Sequence, residues 1–520
     1  MPTLNWIGKE KVVNHHQDVP YKILKPQYTF IDGKQSKDGQ SENKIIHGDN
    51  LEALKSLLPE YEGKIDCIYI DPPYNTGNEG WVYNDNVSHP KLKKWLGQVV
   101  GKESEDLSRH DKWLCMMYPR LKLINKLLSS DGTIFISIND IESSFLKIIC
   151  DEIFGKNRFL AQLIWKSRQN KDNRNISKIS IDHEYIFCYG ASLNGIKRDR
   201  SQFSNPDNDK RGDWVSANMV GLADVNARPN LHYDLINPST KINYGCPKKG
   251  WRYGRESMST LITEDRILWP KNRNGRPRKK QFISDYLEDV TGFSSIVGEE
   301  IYTRDGTNTL NDIFNDKIFD FPKPFELIKS LINQGAKSDS IILDSFSGSG
   351  STAHAVLNLN KEDAGNRKFI LVEMEDYAND ITAERVKRVI KGYGEGNKKV
   401  EGTKGDFTFY ELGKPLFLEN EVLNEEVDLV KILEYVWYSE TKTIFEAQKE
   451  DFLLGKQSNT AYYFYYQKDN MTTLDERFLR SLKTRADQYI IYADNCLLDE
   501  KLMNKYHIIF KKIPRDISRF

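Results

Sequence analysis

The chain has 520 residues, 39% hydrophobic and 29% charged, and its 75 basic residues balance 75 acidic ones. Such a composition supports a buried core and excludes global disorder, and at about 150 residues per domain the length suggests roughly two to four domains. No apolar run reaches the roughly eighteen residues of a bilayer-spanning helix, the first residues lack a basic-then-apolar leader, and the six cysteines show no Cys-x-x-Cys spacing. These features suit a reducing cytoplasm and argue against a disulfide framework or a structural zinc site.

Residues 1–43 read as an N-terminal arm. Lys44 to His47 is a short strand, and Leu51, Leu54, Leu57 and Leu58 recur at helical spacing. The apolar run Ile65 to Ile70 has the mark of a buried parallel strand, and it ends at Asp71-Pro72-Pro73-Tyr74. Residues 75–112 read as a long polar loop over that strand end. A helix over 113–128, a strand over 132–138, a helix over 141–154 and a strand over 181–189 complete a first half, 44–189. From 190 to 315 periodicity is weak and Asn, Asp, Gly, Arg and Lys are frequent, which points to an inserted domain. Regular signals return over 316–404: a helix from Phe325, a strand Ile341 to Asp344, a Gly-rich turn Ser345 to Thr352 leading into a helix, and a strand Lys368 to Glu373. Residues 405–520 read as a C-terminal α/β domain, with a helix near 427–437 before strands near 462–466, 489–492 and 507–510. The alternation predicts an α/β fold with a doubly wound, mainly parallel sheet and right-handed crossovers.

Charge is balanced overall and segregated locally. Between Lys241 and Lys280 twelve basic residues stand against three acidic ones, interleaved with Tyr244, Trp251, Tyr253 and Trp269. Basic groups neutralise phosphates and aromatic rings stack on bases, so the mixture suits a nucleic-acid surface; a solvated face is the alternative. Between Glu411 and Glu450 ten acidic residues outnumber four basic ones, which reads as a solvated helix surface.

A strand, a Gly-rich turn and a helix form a ligand site at a helix N-terminus. Glu373, 23 residues beyond Gly350, ends the next strand, where a carboxylate can accept from both hydroxyls of a ribose. Gly350 is followed by Ser351 and Thr352 with no lysine, so the turn is not a phosphate-gripping P-loop.

The Asp-Pro-Pro-Tyr strand end is the strongest signal. Two prolines end sheet pairing and stiffen the backbone. The Asp71 carboxylate and the Pro72 carbonyl can accept both hydrogens of one exocyclic amine, and Tyr74 can stack on the ring that bears it. The lone pair of such an amine is delocalised into its ring. Two acceptors on its hydrogens draw the nitrogen toward a tetrahedral shape and aim the lone pair at an electrophile, which a sulfonium methyl supplies. Transfer is in line, so placing the atoms within roughly 3–3.5 Å is most of the catalysis, and no base of shifted pKa is needed beforehand.

Asp71-Pro72-Pro73-Tyr74-Asn75-Thr76-Gly77, followed far downstream by Asp344-Ser345-Phe346-Ser347-Gly348-Ser349-Gly350, resembles the amino-group DNA methyltransferases of the β class. In that class the catalytic motif precedes the cofactor motif and a target-recognition domain lies between them. The closer resemblance is to the Mod subunit of type III restriction-modification systems. It is carried also by residues 78–85 (Asn-Glu-Gly-Trp-Val-Tyr-Asn-Asp), 108–113 (Ser-Arg-His-Asp-Lys-Trp) and 508–514 (Ile-Ile-Phe-Lys-Lys-Ile-Pro). The resemblance implies a Rossmann-like methyltransferase core, with 190–315 as the target-recognition domain. It implies that Asp71, Pro72, Pro73 and Tyr74 bind and activate the base. Phe346, Gly348 and Gly350 would line S-adenosylmethionine, with Asp344 at the strand end, Asp71 and Thr352 beside it, and Glu373 on the ribose. Asp49, in Gly48-Asp49-Asn50, and Lys323, in Lys323-Pro324, match further cofactor motifs, and Lys323 would meet the methionine carboxylate. Ser351 stands where threonine is common. The two motifs lie about 270 residues apart, and the parallel sheet is expected to bring their strand ends together at the topological switch point.

No cysteine follows a proline, so cytosine carbon 5 is not the target. Asp71 favours adenine N6 by resemblance, with cytosine N4 as the alternative. A base in a duplex must be flipped out to react. The compensating contacts are assigned to 190–315, with Arg252, Arg273, Arg276, Arg278, Lys279 and Lys280 as candidates. The resemblance implies double-stranded DNA as substrate, a homodimer, a separate ATP-dependent restriction (Res) subunit as partner and no metal. A stand-alone methyltransferase is the alternative. In the complex with the restriction subunit, residues 405–520 would be a dimer or partner surface; a domain that only buttresses the fold is the alternative.

Overall fold

Every residue of Ile65–Ile70 except Asp66 is buried, so this strand needs cover on both faces and belongs inside a sheet. It lies in the middle of eleven strands: β1 (Lys22–Ile31), β2 (Lys34–Ser36), β3 (Lys44–His47), β4 (Ile65–Ile70), β5 (Leu128–Ile138), β6 (Phe159–Trp165), β7 (Glu184–Tyr189), β8 (Ile296–Val297), β9 (Ile341–Asp344), β10 (Lys368–Glu373) and β11 (Asp406–Pro415). Their order across the sheet is β8-β6-β7-β5-β4-β9-β10-β3-β11-β1-β2. The strands from β5 to β11 in that order run parallel, while β7 is antiparallel to both neighbours and β1 to both of its own. The computed structural model describes residues 3–75, 109–172, 178–286, 289–418 and 422–518. Among the described residues no helix is long and apolar enough to cross a membrane.

The pairing of β4 with β9 is direct, Cys67 opposite Ile342 and Ile68 opposite Leu343. The Asp66 carboxylate accepts from the Ile341 amide at 2.8 Å and ties the start of β9 to β4. From β4 the chain passes outward to β5 after helix α2 (Arg109–Leu127), and from β9 it passes the other way to β10 through α5 (Ser351–Asp363). The strand order therefore reverses between β4 and β9, and such a reversal opens a crevice at the carboxyl ends of the strands.

Helix α1 (Asn50–Tyr61) buries Leu51, Leu54, Leu57 and Leu58, each contributing about 1.5–3 kcal/mol by leaving water. With α2 and α3 (Asp140–Cys150) it packs one side of the sheet. Helix α4 (Phe325–Gly335) meets β4 and β5, and α5 lies against α4 and β10.

The division at 43 and 405 does not follow the sheet. The expected N-terminal arm supplies β1 and β2, and β11 extends the same sheet past residue 405. Outer strands carry no continuous apolar run: β1 reads Lys-Ile-Leu-Lys-Pro-Gln-Tyr-Thr-Phe-Ile and is buried only at Thr29 and Phe30, so its sequence resembles a loop. The expected domain at 190–315 is also too wide. The second compact unit is Gly195–Phe293, and Met1–Asn194 with Ser294–Phe520 form the first. Strand β8 and the helix Thr303–Phe314 thus belong to the first unit. Most of the expected loop at 75–112, including residues 78–85, lies outside the described residues; its last four residues open α2.

The second unit has an antiparallel three-stranded sheet, Ile267–Leu268, Arg278–Phe282 and Trp214–Asn218. Its small core gathers Met219, Tyr233, Leu235, Trp251, Met258, Leu261 and Ile267. Near the C-terminus the helix Leu429–Thr441 places Ile432, Tyr435, Val436 and Trp437 in the same core as Leu54 and Ile68. A four-stranded sheet follows, Leu453–Gln457, Thr460–Phe464, Gln488–Ala493 and Ile508–Lys512, over its own cluster around Tyr463, Phe478 and Ile491.

Candidate active site

Strand β4 ends where proline removes the ladder donor. Asp71, Pro72 and Tyr74 are buried there. The Trp113 indole donates to the Pro73 carbonyl at 2.6 Å, which holds the second proline in place. Asn75 takes the left-handed conformation (φ 58°) that asparagine tolerates. Its side-chain amide donates to the Arg109 carbonyl at 3.2 Å and to the Glu142 carboxylate. Glu142 is fully buried and also meets His110 at 2.7 Å. Burial raises its proton affinity against the pull of Asn75 and His110.

A cation sits in front of this strand end. The buried Lys323 ammonium lies 3.0 Å from Asp71 Oδ1 and 3.3 Å from Glu184 Oε2, and 4.7 Å from the centre of the Tyr74 ring. The Tyr74 hydroxyl donates to the same Glu184 oxygen at 2.8 Å. Burial pushes the Asp71 carboxyl above its ordinary range, with Lys323 pulling the other way. Burial alone would lower the proton affinity of Lys323, but Asp71 and Glu184 outweigh it and hold the ammonium charged. The ammonium expected to meet a methionine carboxylate is thus engaged with two of the chain's own carboxylates. Tyr74 stands against this cation, its hydroxyl held by Glu184.

Across the crevice Asp344 ends β9. Its carboxylate accepts from the Phe346 amide at 3.0 Å and the Thr352 hydroxyl at 2.5 Å, and burial pushes its pKa up to about 7. The turn then bends through Gly348 and Gly350, at φ 51° and 79°. A Cβ on Gly350 would also press to 3.1 Å of the Thr382 carbonyl oxygen, so only glycine fits without strain. Glu373, at the end of β10, accepts from the Gly348 amide at 2.7 Å and the Glu375 amide at 3.0 Å. Burial raises its pKa to about 8. Behind the turn the fully buried Arg385 donates to Ser349 Oγ at 2.8 Å and Ser351 Oγ at 2.7 Å, and burial lowers its pKa to about 10. Ser351 Oγ in turn donates to the Lys323 carbonyl at 2.8 Å, which links the turn to the strand-end cation.

Asp49 caps α1, accepting from the Leu51 and Glu52 amides. Its neighbour Asn50 donates to the Ser345 carbonyl at 3.1 Å. Buried Arg120 donates to Asn50 Oδ1 at 2.5 Å and reaches Asp49 at 3.5 Å. The link from this helix start to the Gly-rich turn is thus made by Asn50, with Asp49 beside it.

A small, open cleft is lined by Tyr69, Asp71 and Lys323 together with Asp344, Phe346, Gly348 and Thr352. The two sequence motifs therefore share one opening. Its residues fit S-adenosylmethionine. The buried hydroxyls of Ser345 and Ser347 have no hydrogen-bond partner among the described residues. Glu373 accepts the Gly348 and Glu375 amides on different oxygens, and each carboxylate oxygen has two acceptor positions. Buried carboxylates at Asp71 and Asp344 favour a ligand that carries positive charge.

The candidate DNA contacts lie in the second unit. Arg252, Arg273, Arg276 and Arg278 are exposed and Lys279 is half-buried. Arg278 also holds Ser216 at 2.6 Å, and Arg252 donates to the Val220 carbonyl at 3.0 Å. Lys280 is different. It is buried, and its ammonium lies 2.5 Å from Asp207 and 3.3 Å from Asp209, so its charge is already matched inside the unit. Trp251, one of the interleaved aromatics, is 1% exposed and donates to the Tyr233 carbonyl at 2.8 Å; it is core rather than a stacking surface.

Sequence reasoning missed Glu184, Arg385, Asn50 and Arg120. Arg120 and Arg385 sit inside helices with nothing local to mark them as buried. Glu184 opens a strand and reads as a polar flank; a carboxylate before a run as apolar as β7 was the one available signal.

The N6/N4 methyltransferase family, described as DNA methylase, matches residues 65–384. The Mod subunit of the type III restriction-modification enzyme EcoP15I of Escherichia coli is 30% identical over 431 residues, 73% of this chain and 65% of that protein. The Mod subunit of the EcoPI enzyme of Escherichia phage P1 is 31% identical over 75% of this chain and 68% of its own length. The type II methyltransferase M.KpnI of Klebsiella pneumoniae is 34% identical over 63% of this chain and 80% of that protein. The chain spans about two thirds of the length of the type III relatives.

Proposed function

The chain belongs to the N6/N4 DNA methylase family, and on that premise we propose that it moves a methyl group from S-adenosylmethionine to N6 of an adenine flipped out of duplex DNA. We assign it the place of the modification subunit of a type III restriction-modification system, a homodimer that works with an ATP-dependent restriction subunit. The observation that carries the reaction is the hydrogen-bonded adjacency of β4 and β9, which lays Asp71 and the Gly-rich turn along one cleft.

When bound, S-adenosylmethionine supplies an electrophilic methyl on a sulfonium. Phe346, Gly348 and Gly350 would line it, Thr352 and Asp344 would shape the turn that holds it, and Glu373 would hold the ribose. Asp71 and the Pro72 carbonyl accept the two hydrogens of the adenine amine, and Tyr74 stacks on its ring. Pro73 stays fixed by Trp113. The amine nitrogen would take the methyl, the broken bond's electron pair would stay on sulfur, and positive charge would pass to nitrogen until a proton left. Flipping costs a few kcal/mol; contacts from Arg252, Arg273, Arg276, Arg278 and Lys279 offset it. Lys280 supports the fold of its own unit.

Incubation of the purified chain with labelled S-adenosylmethionine and duplex DNA tests the reaction. Label is expected on adenine N6, and nucleoside mass spectrometry separates this from cytosine N4. Absence of label on DNA of every sequence overturns the reading. Asp71→Ala is expected to abolish transfer while cofactor binding survives; loss of both refutes the division of roles. The identity to M.KpnI over 80% of its length favours a second reading of assembly, a stand-alone type II enzyme. That reading expects no ATP-dependent DNA cleavage when the chain is reconstituted with a type III restriction subunit.

A further inference from the structure

The ammonium of Lys323 presents a competition. Asp71 has to accept a hydrogen from the incoming amine, yet one of its oxygens already lies 3.0 Å from Lys323. An ammonium and an amine both donate N–H, so Lys323 and the target amine would draw on the same carboxylate. A second carboxylate lies within reach of the same cation: Glu184, at the start of β7, is 3.3 Å from Lys323. Its Oε2 also accepts the Tyr74 hydroxyl at 2.8 Å. Asp71, Glu184 and Lys323 are all largely buried, their side chains 10%, 17% and 7% exposed. Counted formally, two carboxyl groups and one ammonium carry more negative than positive groups at a place where positive charge must develop on nitrogen during transfer.

We propose that Glu184 is a positioning residue for methyl transfer: it fixes the Tyr74 ring through the hydroxyl and gives Lys323 a second carboxylate, so that the ammonium can leave Asp71 when the target amine arrives. This rests on the reading of the site as an amine methyltransferase. A neutral side chain at 184 leaves Asp71 and Lys323 as a closed one-to-one pair. The amine must then break that pair unaided, and the surplus negative charge is gone. The tyrosine ring also loses its tether, so the stacked base is held less well against the methyl donor. Misplacement on the order of 1 Å in such in-line chemistry costs about 100-fold in rate.

Glu184→Gln is close to isosteric and tests the idea in the full chain. Methyl transfer to duplex DNA is measured at saturating cofactor, with cofactor affinity by calorimetry, thermal melting, and 2-aminopurine fluorescence at the target position. The expected result is a 10- to 100-fold fall in kcat, with cofactor affinity and melting kept within about twofold and a few degrees of wild type. In a Tyr74→Phe background the same change is expected to cost markedly less, because the tether is already absent. Glu184→Asp, which keeps the charge, is expected to recover part of the rate, and this conservative variant stands in if the glutamine protein folds poorly. A wild-type kcat for Glu184→Gln, or a cost that adds fully to that of Tyr74→Phe, overturns the proposal. Wild-type protein that transfers no methyl to DNA overturns the reading beneath it instead.

Discussion

Glu373→Gln isolates one buried carboxyl whose charge state the fold controls. Glu373 is 2% exposed, and burial lifts its pKa from the ordinary 4.5 to about 8, against the pull of the Glu375 and Gly348 amides. A carboxyl whose folded pKa is raised binds its proton more tightly in the folded state. Its stabilising contribution is therefore complete below about pH 4.5 and is lost as pH rises through about 8. The gap between those values, at about 1.4 kcal/mol per pH unit, comes to about 5 kcal/mol. Glutamine has nearly the same shape and no such titration. It keeps one acceptor for the Gly348 or Glu375 amide and turns a donor toward the other, a pH-independent cost of about 1–3 kcal/mol. Melting of the ligand-free protein and the variant between pH 5 and 9 is the assay. The wild type is expected to start ahead and to lose its lead with rising pH, a swing on the order of 10 °C or less. A wild type minus variant difference that stays flat across pH 6 to 9 refutes the assignment of a raised pKa to this side chain.

Arg385→Leu removes two charged hydrogen bonds that hold Ser349 and Ser351 behind the Gly-rich turn. Calorimetry is expected to show S-adenosylmethionine affinity weakened by about tenfold or more, since such bonds contribute about 1.5–3 kcal/mol each. Arg273→Ala with Arg276→Ala is expected to weaken DNA binding and to lower the slope of log affinity against log salt by about 0.9 for each phosphate no longer neutralised; an unchanged slope rules out both arginines as phosphate ligands. Trp251→Ala is expected to destabilise the Gly195–Phe293 unit by about 3–5 kcal/mol, read as early local unfolding by hydrogen exchange, rather than to weaken DNA binding selectively.

Central elements of the first unit could be read locally because burial there writes directly on the sequence. Ile65–Ile70, Ile341–Asp344 and Lys368–Glu373 are short and almost wholly apolar, and each ends at a carboxylate or a turn. The outer strands β1 and β11 carry lysines, prolines and half-exposed positions. They pair with each other at the far side of the sheet, about 380 residues apart in the chain, and no local pattern announces such a pairing. The basic stretch misled in the same way. Charge and aromatic content over 241–280 are visible in the sequence, but Lys280 and Trp251 face inward and only packing reveals it.

The order of residues alone determined that an acid, two prolines and an aromatic ring close one buried strand, and that a glycine turn with a distant acid closes another. Those are properties of consecutive residues, governed by backbone restriction and side-chain type. Tertiary structure decided the rest: β4 and β9 lie side by side, Lys323 lies between Asp71 and Glu184, and Arg385 braces the turn from behind. These contacts join residues far apart along the chain. Their energies arise only when water is excluded and the charges meet, so no stretch of sequence carries them by itself.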